Sequence, residues 1–120
     1  MPLRPIPDGL VVLTFDDGSR SDLEFVAPLL REHQFSATFF VNRSGGAPER
    51  PRDYLNWAEI AQLHALGFEI GNHTCSHPNM VQLSPQEIRA EIAGVEAQCA
   101  AHGLPRPVTF GYPGGYHNRT

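Results

Sequence analysis

Two short segments of the sequence place acidic or imidazole side chains close together. Asp16 and Asp17 are adjacent, and His73 and His77 stand four residues apart in a His-Thr-Cys-Ser-His segment. Two imidazoles at this spacing can reach one metal ion from a helical turn or a folded loop. With a carboxylate as third ligand, a tetrahedral ion keeps one position open for water, which is typical of catalytic sites. The combination therefore favours metal-dependent hydrolysis.

Each cluster has other interpretations when it is taken alone. Paired acids after a strand also occur in Mg²⁺ sites and phosphatase-like sites, and Asp16-Asp17-Gly18 also suits an ordinary turn. The two histidines could be surface residues, although the glycine, asparagine and proline around them indicate a shaped loop. Cys75 and Cys99 form no CxxC pair, so they predict neither a disulfide framework nor a cysteine-rich zinc site.

Hydrophobic patterning predicts alternating strands and helices that would position these clusters. Leu10 to Phe15 is a continuous apolar run, which is typical of a strand buried on both faces of a parallel sheet. Four strands are predicted, over 10–15, 37–41, 68–71 and 108–110, and a turn over 42–46 closes the second. Three helices alternate with them. The first covers 22–33 and begins at a capping box from Ser21 to Glu24, the second contains Ile60, Leu63 and Leu66, and the third begins at Ser84-Pro85 and ends at Gly103. This alternation implies parallel strands joined by right-handed crossover helices.

Three polar segments follow the carboxyl ends of predicted strands. These segments are Asp16-Asp17, His73 to His77, and the turn from Tyr112 to Gly115. Parallel α/β folds place their active sites at this edge of the sheet, because the loops after the strands meet there. We therefore expect the three segments to converge in space.

Length and charge narrow the classes of partner. The 120 residues suffice for one domain, and the net charge of -4 gives no electrostatic reason to expect nucleic acid or an anionic membrane as partner. Met1 to Pro7 lacks the apolar core of a secretory signal, and no segment approaches the roughly 18 apolar residues of a membrane span. As written, the sequence predicts a cytoplasmic protein, with extracellular or periplasmic action if the N-terminus is incomplete.

Over nearly all of residues 9–118 the sequence resembles the polysaccharide deacetylases with a NodB-type domain, the chitin and peptidoglycan deacetylase group of carbohydrate esterase family 4. The family's Thr-Phe-Asp-Asp motif corresponds to Thr14 to Asp17, and its His-[Ser/Thr]-x-x-His motif corresponds to His73 to His77. Phe110 to Gly114 resembles the Tyr-Pro-x-Gly form of the third motif, without the arginine with which that motif begins in many members.

This resemblance implies a role for each residue of the first two motifs. Asp16 would be the general base, and Asp17, His73 and His77 would bind a divalent transition metal. Zn²⁺ is the expected ion, and Co²⁺ and Ni²⁺ accept the same ligand types.

The third motif would line the substrate groove through Tyr112, Pro113 and Gly114. Pro113 has no N–H, so we expect the backbone donor to a developing oxyanion at Gly114. The family's later Leu-x-His motif, which usually supplies the general acid, has no counterpart in the sequence. We interpret His117 as a surface residue of a turn and not as a substitute for that acid.

Members of the family adopt a distorted (β/α) barrel of about seven strands, and four strands are predicted here. We therefore expect residues 1–120 to form an incomplete N-terminal part of a NodB-type barrel, with an open strand edge at which chains could self-associate. The expected function is removal of N-acetyl groups from an amino-sugar polymer or oligomer. Two alternatives stay open: a metal-dependent amidase acting on a small non-glycan amide, and a non-catalytic metal-binding fragment.

Overall fold

The structure is a computed structural model that describes residues 3–42 and 52–119. Its centre is a parallel sheet in the order β1-β2-β3, formed by β1 (Thr14–Asp16), β2 (Thr38–Val41) and β3 (Glu69–Asn72). Helices connect each strand to the next, so the chain crosses over between parallel neighbours. The predicted α/β class with crossover helices is confirmed.

The first crossover starts as a π-helical turn, Asp22–Val26, and continues as α1 (Ala27–Glu32). The extent predicted for this helix is confirmed, but the predicted capping box from Ser21 to Glu24 is wrong. Ser21 has helical dihedral angles (φ -59°, ψ -23°), and its side chain makes no capping hydrogen bond. An N-cap residue needs extended dihedral angles to aim its oxygen at the free N–H groups of the first turn, and Ser21 lacks them.

The second and third helices are α2 (Trp57–Ala65) and α3 (Pro85–Ala101). The predicted start of α3 is confirmed, because the Ser84 hydroxyl accepts the Glu87 N–H at 3.2 Å while the Ser84 N–H donates to the Glu87 carboxylate at 2.7 Å. The same Ser84 N–H holds the pKa of the Glu87 carboxyl below its ordinary value. Gly103 follows the helix with a φ of +70°, which suits a glycine at a helix end.

The first predicted strand is largely wrong, since only Thr14–Asp16 forms a strand. Leu10, Val11 and Val12 are exposed and precede β1, although the continuous apolar run predicted burial on both faces. The neighbouring strand β2 begins only at Thr38, so strand pairing begins at its partner Thr14. Residues 10–12 thus have no described strand beside them.

The fourth predicted strand, over 108–110, is not formed among the described residues. Phe110 makes a single parallel bridge with Asn72, flanked by hydrogen bonds from the Asn72 N–H to the Thr109 carbonyl and from the Gly111 N–H to the Asn72 carbonyl, both 3.0 Å long. β3 ends at Asn72, so the two segments overlap at one position only. Self-association through an open edge stays a prediction.

The helices pack against one face of the sheet, and apolar side chains fill the space between them. The buried core consists of Ala27, Leu30, Ala37, Phe39, Val41, Leu55, Ile60, Leu63, Phe68, Ile70, Val95, Cys99 and Leu104. On the other face, the Phe40 ring lies over Gly71, where an added Cβ would come within 2.5 Å of the ring. The turn predicted over 42–46 falls on residues that, apart from Asn42, lie outside the described part of the chain. Within that part, no helix is long and apolar enough to cross a membrane.

Candidate metal centre

Three side chains meet where β1 and β3 end. The Asp17 Oδ1 atom lies 3.3 Å from the His73 Nε2 atom and 3.3 Å from the His77 Nε2 atom. Donors bound tetrahedrally at about 2.1 Å from one ion lie about 3.4 Å from each other. The structure thus brings together the three residues predicted as ligands, at a spacing that could hold one metal ion.

One oxygen of the Asp17 carboxylate faces the two imidazoles without a hydrogen bond from any described residue. This oxygen, Oδ1, is buried. An unpaired buried carboxylate oxygen is costly, and a cation between it and the two imidazoles would remove that cost. The backbone of Asp17 has a φ of 77°, and its N–H donates to the Phe40 carbonyl at 2.9 Å. This conformation places the Asp17 carboxylate opposite the two imidazoles. These observations fit a bound cation.

The His73 ring is fixed in one orientation. Its side chain is 2% exposed, and its Nδ1 atom lies 2.8 Å from the Gly111 carbonyl oxygen. A carbonyl oxygen can only accept, so Nδ1 carries a hydrogen, and in the neutral ring the lone pair then lies on Nε2, the atom nearest Asp17. Metal-binding histidines are commonly oriented by such a bond from their second ring nitrogen.

The loop from His73 to His77 has a strained backbone. Thr74 and His77 have φ values of 71° and 56°, and such a conformation costs on the order of 1–3 kcal/mol for a residue other than glycine. Side chains hold the loop in this shape. The Asn72 Oδ1 atom accepts the Thr74 N–H at 2.9 Å, and the Thr74 hydroxyl accepts the His77 N–H at 3.2 Å.

Asp16 and the residues of the third motif differ in their exposure to solvent. Asp16 is the last residue of β1 and is exposed, and Tyr112 is half exposed. Pro113 is buried at the start of a 3-10 turn, and Gly114 has a φ of +64°. His117 is exposed, as predicted, and its ring centroid lies 5.6 Å from that of Tyr112.

Two carboxylates near the centre were not predicted from the sequence. Glu91, on α3, accepts hydrogen bonds from the loop between the two histidines, and Asp22 is 4% exposed in the turn before α1. The sequence pattern marks both residues, because each is a charged residue at helical spacing from apolar residues. Glu91 lies between Ile88 and Val95, and Asp22 lies four residues before Val26.

Asp22 makes the stability of the protein depend on pH. Burial raises its pKa from 3.8 to about 6, and the negative charges of Asp17 and Asp16 add to the shift, while the Ser19 N–H opposes it. The folded state therefore binds more protons than the unfolded state between these two values. The Asp22 contribution to the free energy of unfolding falls by about 3 kcal/mol as the pH rises through this window.

Asp22→Asn is thus expected to stabilise the metal-free protein relative to wild type at pH 7 and to have little such effect at pH 4. Urea unfolding at a series of pH values, in the presence of a chelator, measures the difference. Asp8→Asn serves as the control, because it removes a carboxylate that is exposed to solvent. A wild-type-minus-variant difference that does not change with pH would contradict the prediction.

Comparison with known proteins supports a family assignment. The family model described as polysaccharide deacetylase matches residues 4–120. A peptidoglycan-N-acetylglucosamine deacetylase of Bacillus cereus is 37% identical over 89 residues, which are 72% of this chain and 29% of that protein.

Solved structures share the fold. A family 4 carbohydrate esterase from Streptomyces lividans, in complex with acetate, has a TM-score of 0.75 and 28% identity, covering 92% of this chain and 54% of that chain. The Streptococcus pyogenes deacetylase PplD, in complex with acetate, has a TM-score of 0.81 at 23% identity, covering 94% of this chain and 50% of that chain. The chain thus spans about half the length of these structures. The NodB-type fold class predicted from the sequence is confirmed, and the chain belongs to the polysaccharide deacetylase family.

Proposed function

We propose that this protein is a metal-dependent hydrolase that removes N-acetyl groups from an amino-sugar polymer or oligomer. The observation that carries the proposal is the convergence of Asp17, His73 and His77 next to a second carboxylate, Asp16, in a chain of the deacetylase family. The Bacillus cereus relative is named as a peptidoglycan-N-acetylglucosamine deacetylase, which supports the substrate class. The acetate bound to the Streptomyces lividans esterase is the product that such a reaction releases.

Asp17, His73 and His77 would hold the ion, for which we propose Zn²⁺. A bound divalent ion supplies positive charge that polarises an acetyl carbonyl and makes water a better nucleophile. The Gly111 carbonyl keeps the His73 lone pair directed at the centre. The Asp17 and His77 side chains are 45% and 46% exposed, so a substrate can approach from their side.

Asp16 would accept the proton of the attacking water. Asp16 is exposed and adjacent to Asp17 in the sequence, so water and substrate can reach its carboxylate. A general base in such a position contributes about 10²–10⁴-fold to the rate. Its neighbour Asp17 would bind the ion, so the two adjacent acids have separate roles.

The third motif would bind the acetylated sugar. The Gly114 N–H would donate to the oxyanion of the tetrahedral intermediate, and such a donor is worth roughly 3 kcal/mol. A cavity of about 360 Å³ is lined by Phe110, Tyr112 and His117 together with apolar residues such as Met80. Aromatic and apolar walls with a few polar groups suit a small ligand or part of a larger one.

Acetate release tests the proposal. The zinc-loaded protein is expected to release acetate from an N-acetylglucosamine oligomer and to leave one free amine per acetate, and removal of zinc with a chelator is expected to stop the reaction. Release of acid only from small non-glycan amides would favour the amidase alternative. Zinc binding without turnover on any of these substrates would favour the non-catalytic alternative.

A further inference from the structure

Glu91 lies on α3 and yet contacts the loop that carries both histidines. Its Oε2 atom accepts the N–H groups of Cys75 and Ser76 at 2.8 and 2.9 Å, and its Oε1 atom accepts the Ser76 hydroxyl at 2.7 Å. One carboxylate thus binds the middle of the loop through three hydrogen bonds. Such charge-assisted bonds are about twice as strong as neutral ones.

Together with two other hydrogen bonds, these bonds give every backbone N–H group of residues 74–77 a side-chain acceptor. The N–H groups of residues 74, 75, 76 and 77 donate, in that order, to the side chains of Asn72, Glu91, Glu91 and Thr74. Asn72 and Thr74 are local to the loop. Asn72 ends β3, and its Nδ2 atom donates to the Ile92 carbonyl of α3 at 2.9 Å. Glu91 is the acceptor that itself lies on α3, so it connects the middle of the loop directly to that helix.

This connection lies between the two strained residues of the loop. Thr74 and His77 both have positive φ values, and Cys75 and Ser76 separate them. A non-glycine residue keeps such a conformation only where its surroundings fix it. His73 is also fixed by Gly111, whereas the His77 side chain is 46% exposed. The position of His77 therefore depends on the loop more than the position of His73 does.

We propose that Glu91 is a positioning residue that holds His77 at the distance from His73 and Asp17 that one metal ion requires. This inference rests on the metal site of the proposed function. Glu91 does not itself reach the ion, since the described cluster that could bind one consists of Asp17, His73 and His77. Outer residues that orient ligands typically change metal affinity by about 10–100-fold when they are removed.

The test compares Glu91→Ala with Glu91→Gln. Both variants remove the same charge, but glutamine keeps a carbonyl oxygen for the two N–H donors and an amide that can bond to the Ser76 hydroxyl. Zinc affinity, measured by competition with a chromophoric chelator, is expected to fall about 10–100-fold in Glu91→Ala and by less than about 10-fold in Glu91→Gln. The visible spectrum of the Co²⁺-loaded protein is expected to change in Glu91→Ala, because the geometry around the ion changes.

Glu96→Ala is the matched control on the same helix. The Glu96 carboxylate pairs with Arg106 at 2.9 Å, so its loss removes a charge and an ion pair of α3 without touching the histidine loop. We expect its zinc affinity and Co²⁺ spectrum to match those of wild type. Thermal unfolding of each metal-free variant separates a general loss of stability from a change at the metal centre.

The outcomes separate the inference from the proposed function. A wild-type protein that binds no zinc would overturn the metal site itself. A wild type that binds zinc, with equal affinity and an equal Co²⁺ spectrum in folded Glu91→Ala, would overturn the role of Glu91 alone. If Glu91→Ala does not fold, Glu91→Met decides, because methionine has a similar length but offers no oxygen to the three donors of the loop. Zinc affinity in Glu91→Met equal to that of wild type would overturn the proposal.

Discussion

Asp16→Asn is expected to lower the rate of acetate release by about 10²–10⁴-fold while the zinc content stays that of wild type. Asparagine is close to aspartate in shape but cannot accept a proton from water at neutral pH. Asp16 is exposed at the end of β1, whereas the buried Oδ1 atom of the next residue, Asp17, is the one that faces the two imidazoles. Removal of the base should therefore leave the ligand in place.

The measurement pairs steady-state acetate release with metal analysis of the same protein sample. Asp17→Asn is the comparison variant and is expected to lose zinc together with activity. Asp8→Asn, at an exposed position outside the motifs of the metal centre, is expected to behave as wild type. An equal loss of zinc in Asp16→Asn and Asp17→Asn would show that the roles of the adjacent acids are divided wrongly.

His77→Ala is expected to weaken zinc binding by more than about 100-fold, beyond the range typical of residues that only orient a ligand. It removes one of the three donor side chains and leaves the Asp17 Oδ1 atom facing His73 alone. Competition with a chelator of known affinity measures the change. The control is His64→Ala, which removes an exposed imidazole from α2. Zinc affinity equal to that of wild type in His77→Ala would remove this residue from the metal centre.

Helix boundaries were predictable where the signal is local. The start of α3 follows from Ser84 and Glu87, because a capping box is formed by residues three apart and depends little on the rest of the fold. The apparent box at Ser21 and Glu24 has the same spacing, but the chain is already helical at Ser21. A capping motif in the sequence does not show where helical dihedral angles begin.

The extent of the strands was less predictable, because a strand needs a neighbour. The apolar run from Leu10 to Phe15 has the composition of a buried strand, yet pairing starts at Thr14, opposite the first residue of β2. Val108 to Phe110 is also rich in strand-forming residues, but it overlaps β3 at a single position. Both outcomes depend on register between segments that are distant in the sequence.

The acidic and imidazole residues of the candidate centre were predictable because they combine distinctive types with loops at one edge of the sheet. Their supporting contacts were harder to predict. The Gly111 oxygen that orients His73 is a backbone carbonyl, which every residue carries, so nothing in the sequence distinguishes it. Glu91 could have been found as the charged member of an apolar helical stripe, but its partners, Cys75 and Ser76, follow only from the fold.

The X-ray absorption spectrum of the zinc-loaded protein tests the proposed metal centre most directly. We predict a first shell of nitrogen and oxygen atoms at about 2.0–2.1 Å, with the outer-shell scattering of two imidazole rings. Cys75 lies in the same loop, but its Sγ atom is directed at the Ala90 carbonyl, 3.9 Å away, so no sulfur is expected in the shell. A sulfur atom at about 2.3 Å from the zinc, or a shell without two imidazoles, would contradict a centre built from Asp17, His73 and His77.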